Sequence, residues 1–289
     1  MSFQSALDKA FDITQGLLVK AINSQAPTPL VEPMLHAVAG GKGLRGFLVQ
    51  KSAELYGVGH DRSARAAAAV EAIHAYSLVH DDLPCMDDDD QRRGQPTVHV
   101  KWGEAVAVLT GDSLQSLAFE LLSDEAVGNT DTRLELIESL SVSAGARGMV
   151  RGQALDIAAE TAERPLTLEE ITELQMAKTG ALFEWSCTAG AILAGEGPEP
   201  MRKFARPLGL AFQIADDIID AEGDTELAGK RLRKDAAAGK ATFVSLLGLE
   251  GARARTKELV DEAEAALAPF GAKAENLRQT ARFAVERRM

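Results

Sequence analysis

The sequence has little of what marks extracellular, β-rich or membrane-spanning proteins. Its 289 residues include only two cysteines, Cys85 and Cys187, which give no disulfide framework and suit a reducing compartment. Aromatic residues make up 5% of the chain, and no apolar run approaches the length needed to cross a bilayer. Basic residues are also scarce, at 31 against 43 acidic ones, and the net charge of −12 argues against binding to nucleic acid or to a membrane surface. We therefore expect a soluble, cytoplasmic protein.

What the sequence does have is abundant alanine and apolar residues at helical spacing. Hydrophobic residues make up 46% and charged residues 26%, as in globular proteins. Helices are predicted at residues 3–24, 33–39, 44–56, 61–83, 98–109, 112–123, 131–151, 167–193 and 200–221, with two or three more between 242 and 288. Residues 84–96 are predicted to form a loop and residues 223–240 a mobile polar connection. Without strand alternation or a linker, we predict one all-α domain over 1–289.

The first acidic cluster lies at residues 80–90, HDDLPCMDDDD. Asp81 and Asp82 fall in the last turn of a predicted apolar helix, where the helix dipole disfavours anions. A bound divalent cation would reverse that penalty. The alternative is a solvated acidic loop with no ligand.

A second acidic cluster, Asp216, Asp217 and Asp220, lies in the predicted helix 200–221. Asp216 and Asp220 are one turn apart, on a helix apolar enough to be buried, so their charges need compensation. Capping and salt bridges are the alternative to metal binding. Oxygen ligands without His or Cys suit Mg²⁺ that also contacts substrate phosphates, and neither cluster has the spacing of an EF-hand. A Mg²⁺-bridged phosphate substrate is the interpretation we favour.

Basic residues that could hold such a phosphate are concentrated in a few places. Residues 40–45, GGKGLR, put a glycine loop, Lys42 and Arg45 at a predicted helix start, although the two glycines could simply cap the preceding helix. Arg92 and Arg93 follow the first acidic cluster, as phosphate ligands or as neutralising charges. For Lys178, Lys230, Lys240 and His74, the alternatives are solvated surface lysines and a structural histidine.

Taken together, these segments resemble the trans-isoprenyl diphosphate synthase family, and most of all its bacterial farnesyl diphosphate synthase branch. The resemblance rests on GGKGLR at 40–45, HAYSLVHDDLPCMDDDDQRRG at 74–94, GQALD at 152–156, KTG at 178–180, FQIADDIID at 212–220 and the lysines Lys230 and Lys240. It implies an all-α fold of antiparallel helices around a deep central cavity, usually as a homodimer. It also implies a prenyltransferase that joins isopentenyl diphosphate to an allylic diphosphate.

The resemblance also assigns roles to individual residues. Three Mg²⁺ would be bound directly by Asp81, Asp87 and Asp216, with Asp82, Asp217 and Asp220 completing their surroundings. The allylic diphosphate would contact Arg92, Lys178, Thr179, Gln213, Lys230 and Lys240. Isopentenyl diphosphate would be held by Lys42, Arg45, His74 and Arg93. Of these, Asp81, Asp82, Asp87, Asp216 and Lys178 are the predicted catalytic residues.

The sequence departs from the family pattern at Gly43 and Gly46, where Arg and Pro are usual. We expect isopentenyl diphosphate binding to persist through Lys42 and Arg45, but more weakly, because the loop is more flexible.

Product length is expected to depend on Tyr76 and Ser77, which precede Asp81 by five and four residues. In the family, an aromatic residue at the first of these positions accompanies a farnesyl product; ordinary core packing is the alternative role for Tyr76.

Four other functions are alternatives to farnesyl diphosphate synthesis. The nearest is geranylgeranyl diphosphate synthesis, which differs by little more than the cavity floor. A terpene cyclase would carry a different second motif and lack the basic residues that hold isopentenyl diphosphate. A non-catalytic regulatory subunit could lose an Asp motif, yet both are intact here. An acidic cation-buffering protein would have no use for the clustered Arg and Lys.

Overall fold

A computed structural model describes residues 2–223 and 241–286. The helices it contains are α1 (Phe3–Asn23), α2 (Val31–Val38), α3 (Leu44–Leu55), α4 (His60–Asp81), α5 (Val98–Trp102), α6 (Glu104–Ser123), α7 (Thr130–Ala144), α8 (Met149–Glu160), α9 (Leu168–Gln175), α10 (Ala181–Ala194), α11 (Glu199–Glu222), α12 (Phe243–Ala266) and α13 (Glu275–Glu286). Two-residue strands, β1 (Gln91–Arg92) and β2 (Gln95–Pro96), pair antiparallel. The all-α fold class is therefore confirmed.

The predicted helices are wrong in two stretches of the chain. The helices expected at 98–109 and 112–123 are instead divided at Gly103, whose φ of 88° ends α5 and allows α6 to start at once. The helix expected at 131–151 is broken between Ala144 and Met149, in a segment containing Gly145 and Gly148. The helix expected at 167–193 is continuous in its path but contains a single π-helical turn, Met176–Gly180.

The described residues fall into two compact units. Unit 1 comprises those within Met1–Ile137 and Ile192–Glu196, and unit 2 those within Glu138–Ala191 and Gly197–Met289. The expectations of one domain over 1–289 and of a central cavity remain predictions.

In unit 1 the central element is α4, which packs against α1, α3 and α6. Its four consecutive alanines, Ala66, Ala67, Ala68 and Ala69, are completely buried, and their small side chains let the neighbouring helices approach closely. Near its C-terminal end, Val79 packs with Val98 and Ala107. This packing fixes the end of α4, where the first acidic cluster begins.

In unit 2 the central pair is α11 and α12. Ala211 and Ile214 of α11 pack with Phe243 and Leu259 of α12, and all four are buried. A capping box at Thr242 sets the start of α12. The second acidic cluster therefore lies on a helix whose orientation is fixed by core packing.

One described helix, α6, is long and apolar enough to cross a membrane, judged by length and composition alone. Only 44% of its most apolar window is buried, and such a helix is weak evidence for a span.

Candidate active site

The first acidic cluster folds back on the end of α4. The N–H of Asp87 donates to the carbonyl of Asp81 at 2.8 Å, and the N–H of Asp89 donates to the carbonyl of Asp82 at 3.2 Å. Asp88 adopts the left-handed conformation, with φ of 51°, which tightens the turn. The backbone of Asp87 is thus brought next to that of Asp81, the pair predicted to share metal ions.

The carboxylate of Asp82 is buried and paired with Arg92. The Nε and Nη2 of Arg92 approach Oδ1 of Asp82 at 2.7 and 2.6 Å. Burial raises the pKa of Asp82, and the bond to Arg92 opposes that rise. The side chain of Asp82 is therefore neutralised by a residue that the sequence assigned to the allylic diphosphate.

A tight hairpin aims the neighbouring Arg93 in a different direction. The two residues between β1 and β2, Arg93 and Gly94, have φ of 53° and 72°, as in a type I′ turn. The Nη1 of Arg93 donates to the carbonyls of Ala39 and Gly40 at 3.1 and 3.2 Å. Its guanidinium lies so close to Gly41 that a Cβ there would be 2.7 Å from Cζ. The hairpin and the GGKGLR loop are thereby joined.

His74 lies among cations. Burial holds its pKa well below the usual value, and the charges of Arg45, Arg93 and Arg92 act in the same direction. Its imidazole is therefore neutral at pH 7 and can offer one N–H to an anion. His74, Arg93 and the glycine loop line one small pocket in unit 1. Of the four residues predicted to hold isopentenyl diphosphate, His74, Arg45 and Arg93 thus lie close enough for the two charges to act on the imidazole.

The two departures from the family pattern have specific neighbours. Gly43 has φ of 57°, and a Cβ there would be 2.8 Å from Cδ2 of Phe11. The N–H of Gly46 donates to Oε1 of Glu71 at 2.8 Å, a bond that proline at position 46 could not make. The loop is therefore packed and hydrogen-bonded, which opposes the flexibility expected from sequence.

The residues predicted to set product length lie on α4. Tyr76 is 5% exposed and packs edge-on against His80, with 5.8 Å between ring centroids. Its buried hydroxyl makes no hydrogen bond of normal geometry to the described residues. Burial raises the pKa of this phenol, and the side chain of Gln115 partly opposes the shift. Ser77 donates to the carbonyl of His74 at 2.9 Å, so its hydroxyl stays on the helix.

In unit 2, Lys178 is held by a carboxylate that the sequence analysis did not single out. Its Nζ lies 2.6 Å from Oδ2 of Asp156, in the GQALD segment of α8. One turn earlier on α8, Gly152 allows the π turn to approach so closely that a Cβ there would be 2.1 Å from the backbone nitrogen of Lys178. π turns recur at functional sites, and this one displaces Lys178 and Thr179 from regular helical positions.

Thr179, Gln213 and Asp217 form a hydrogen-bonded chain. Thr179 Oγ1 donates to Oε1 of Gln213 at 3.1 Å, and Nε2 of Gln213 donates to Oδ1 of Asp217 at 3.2 Å. The other oxygen of Asp217, Oδ2, accepts from the N–H of Phe243 at 2.8 Å. Asp217 of the second acidic cluster is therefore hydrogen-bonded directly to α12 and, through Gln213, to the π turn.

The oxygen donors of the two clusters fit Mg²⁺ chemically. Among the described residues, no three His, Cys, Asp or Glu side chains are grouped as a ready-made metal cage. Mg²⁺ commonly uses one or two carboxylates together with water and substrate phosphates, so the donors present suit it better than zinc or calcium. Lys230 and Lys240 lie outside the described residues, and so does most of the predicted 223–240 connection.

Sequence reasoning missed three residues that the structure places beside predicted site residues. Asp156 pairs with Lys178, Glu71 binds Gly46, and His80 contacts α6. Only Asp156 could have been predicted from a local pattern. Gly152 and Asp156 are four residues apart and share a face of α8, so a residue that approaches one of them also lies near the other. The partners of Glu71 and His80 are 25 and 28 residues distant in sequence, beyond any local pattern.

Comparison with known proteins assigns the family. The family model described as polyprenyl synthetase matches residues 27–274, and the chain belongs to that family. The chain is 47% identical over 247 residues to the farnesyl diphosphate synthase of Escherichia coli, covering 83% of this chain and 82% of that protein. It is 42% identical to a chloroplastic geranylgeranyl pyrophosphate synthase of Capsicum annuum, covering 91% of this chain and 72% of that protein.

Solved structures agree with this assignment. An FPP/GFPP synthase from Zymomonas mobilis matches with a TM-score of 0.90 and 46% identity, covering 98% of this chain and 99% of that one. A geranyltransferase from Helicobacter pylori, solved with magnesium and isoprenyl diphosphate, matches with a TM-score of 0.81 and 33% identity, covering 97% and 96%. The family resemblance seen in the sequence is therefore confirmed.

Proposed function

We propose that this protein is a trans-prenyltransferase that condenses isopentenyl diphosphate with dimethylallyl and geranyl diphosphate, giving farnesyl diphosphate and pyrophosphate. The observation that carries the proposal is the grouping in unit 1 of a neutral His74 with Arg45 and Arg93, beside the acidic end of α4. His74 and Arg93 line one pocket, and the charge of Arg45 acts on His74, a setting suited to a small anion carrying several charges. Relatives named farnesyl diphosphate synthase support the choice of substrate and product.

In this proposal the basic residues bind and orient isopentenyl diphosphate. Arg45 and Arg93 supply positive charge and forked N–H donors, and neutral His74 adds a donor without a further charge. Because Arg93 is fixed by the carbonyls of Ala39 and Gly40, little of its freedom remains to be lost on binding. Lys42 completes the set on the same loop.

The allylic diphosphate is assigned to Lys178, Thr179 and Gln213 of unit 2, together with Arg92, Lys230 and Lys240. Asp81, Asp87 and Asp216 are the proposed direct ligands of three Mg²⁺, with Asp82 and Asp220 beside them. When bound, Mg²⁺ supplies Lewis-acid stabilisation of the charge that develops on the departing diphosphate. Asp156 holds Lys178 through a 2.6 Å ion pair, so its ammonium group is already oriented.

The buried, apolar face of α4 is assigned the steps that follow departure of the diphosphate. We assign to Tyr76, which is 5% exposed, and to the buried face around it the exclusion of water, so that the isopentenyl double bond and not water would capture the allylic cation. Loss of a proton, taken up by the released pyrophosphate, then gives a product one isoprene unit longer. Tyr76 would block further elongation at the farnesyl stage.

The direct test incubates purified protein with isopentenyl diphosphate and each allylic starter, with Mg²⁺ or with EDTA. The prenyl alcohols are identified after dephosphorylation. Farnesol formed only with Mg²⁺ is the expected result. Geranylgeraniol as the main product would favour the runner-up, to which relatives such as the Capsicum protein point. Diphosphate binding without any turnover would favour a regulatory subunit.

We also propose that the protein is a homodimer that works in the cytoplasm and that the exposed apolar face of α6 contributes to its interface. Val108 and Leu109 are 41% and 51% exposed, although α6 as a whole is strongly apolar. Light scattering coupled to size exclusion tests the interface. Leu109→Glu is expected to yield monomers, whereas Leu168→Glu, which alters an exposed leucine on α9, should leave the dimer intact.

A further inference from the structure

Asp217 uses both of its carboxylate oxygens in hydrogen bonds within unit 2. Oδ1 accepts from Gln213 at 3.2 Å, and Oδ2 accepts from the N–H of Phe243 at 2.8 Å. The residue is 9% exposed, whereas Asp216 and Asp220 on the same helix are only partly buried. Each oxygen of Asp217 therefore has one of its acceptor positions occupied by a protein donor before any metal binds.

The bond to Phe243 satisfies a helix terminus. Phe243 is the first residue of α12, and the N–H groups in the first turn of a helix have no partner within the helix. The N-cap Thr242 serves the N–H of Ser245, so Asp217 supplies an acceptor for a different one of these groups. A carboxylate at this end of α12 is also favoured by the helix dipole.

The bond to Gln213 determines which way its amide points. An ionised carboxylate only accepts hydrogen bonds, so the NH₂ of Gln213 must face Asp217 and its oxygen must face away. That oxygen then accepts from the hydroxyl of Thr179, as observed at 3.1 Å. With one N–H committed to Asp217, the second N–H of the amide keeps a defined direction.

We infer that Asp217 is a positioning residue that acts before any metal binds. It orients Gln213 and Thr179 and fixes the first turn of α12, whereas the family resemblance implied a place beside the metal ions. One consequence rests on the proposed function, namely that the oriented N–H of Gln213 donates to the allylic diphosphate. The structural role does not depend on substrate at all.

The decisive experiment uses the metal-free full-length protein in EDTA. Hydrogen exchange of the Phe243 amide and the urea midpoint are compared for wild type, Asp217→Asn and Asp217→Ala. Asn can serve only one of the two donors without reorienting Gln213, and Ala serves neither, so exchange should accelerate in that order, by about tenfold or more for Ala. The urea midpoint should fall in the same order.

Asp220→Asn is the matched control, because it removes a charge from the same helix without touching the Phe243 bond. It should leave exchange at Phe243 within about twofold of wild type. If Asp217 were only a metal ligand, its removal would relieve repulsion among the acids of α11. The metal-free urea midpoint would then be unchanged or higher in both Asp217 variants, and that result would overturn the inference.

A second measurement follows turnover of the folded variants. For Asp217→Asn, the KM for the allylic substrate should rise about tenfold, with smaller changes in the KM for isopentenyl diphosphate and in the half-saturating Mg²⁺ concentration. A large rise in half-saturating Mg²⁺ with unchanged allylic KM would contradict the positioning role. Should wild type itself show no turnover, the proposed function fails, while the metal-free experiment still decides the role of Asp217.

Discussion

The imidazole of His80 fills a notch in α6 that exists because residue 111 is glycine. Its Nε2 lies 3.0 Å from the carbonyl oxygen of Val108, and a Cβ at Gly111 would be only 2.0 Å from the same nitrogen. His80 directly precedes Asp81, so this contact fixes the last turn of α4 against α6. The position of the first acidic cluster thus depends on a glycine from another helix.

Gly111→Ala is expected to destabilise the protein by about 2 kcal/mol, because the rigid imidazole must be displaced. Gly16→Ala is the matched control, since Gly16 also lies in a helix but has nothing within 4 Å of an added Cβ. That control should stabilise the protein by about 0.5–1 kcal/mol through its effect on the unfolded chain. Urea unfolding measures the change in stability of each variant. Equal changes in the two variants would contradict the close contact between His80 and Gly111.

Gly46→Pro is expected to destabilise the protein by about 1–3 kcal/mol, because the partly buried carboxylate of Glu71 loses its N–H donor. Gly46→Ala keeps the N–H and introduces the same Cβ, which would lie 3.2–3.3 Å from atoms of Thr14 and Glu71. The difference between the two variants therefore reports the lost hydrogen bond together with the effects of the proline ring on Arg45 and on the unfolded chain. Calorimetric titration with isopentenyl diphosphate then tests whether the family's proline raises affinity, as the sequence analysis predicts; no gain would refute that prediction.

Arg92→Ala is expected to cost about 3 kcal/mol of stability at pH 7, because it leaves the buried carboxylate of Asp82 unpaired. Burial already raises the pKa of Asp82, and without Arg92 it rises further. A raised carboxyl pKa favours the folded state below the unfolded pKa and loses that contribution as pH rises through the folded pKa. The cost of Arg92→Ala should therefore shrink as pH falls towards 4.

Unfolding curves across pH test this expectation, with the double variant Asp82→Asn/Arg92→Ala as control. Removing the charge from Asp82 should recover part of the lost stability at pH 7 and abolish its pH dependence. A cost independent of pH in the single variant would show that Arg92 acts through packing and not through the charge of Asp82.

Tyr76→Ala is expected to shift the product towards longer prenyl chains, because it removes a buried ring about 7 Å along α4 from Asp81. Tyr76→Phe is the control: it keeps the ring and removes a hydroxyl that has no hydrogen bond of normal geometry among the described residues. Its product should stay unchanged. Chromatography of the dephosphorylated alcohols distinguishes the outcomes, and identical distributions in all three proteins would leave Tyr76 as a core residue only.

Much of the helical framework was predictable, and the errors have local causes. The bounds of α1, α3 and α11 follow apolar periodicity and differ from expectation by a residue or two. The break at Gly103 was missed because glycine can adopt positive or negative φ, and the sequence does not show which one it takes. The π turn around Lys178 was missed for a similar reason, since it depends on how closely α8 approaches at Gly152.

The sequence by itself determined the all-α class, the family and the chemical types at the site, because helical periodicity and motif spacing are local properties of the chain. Only the tertiary structure decided which partners these residues have. Asp217 meets Phe243 and His80 meets Val108 because packed helices have a particular rotation and offset. That geometry depends on the whole core, so the hydrogen-bond partners of Asp217 could not be predicted from its place in the second acidic cluster.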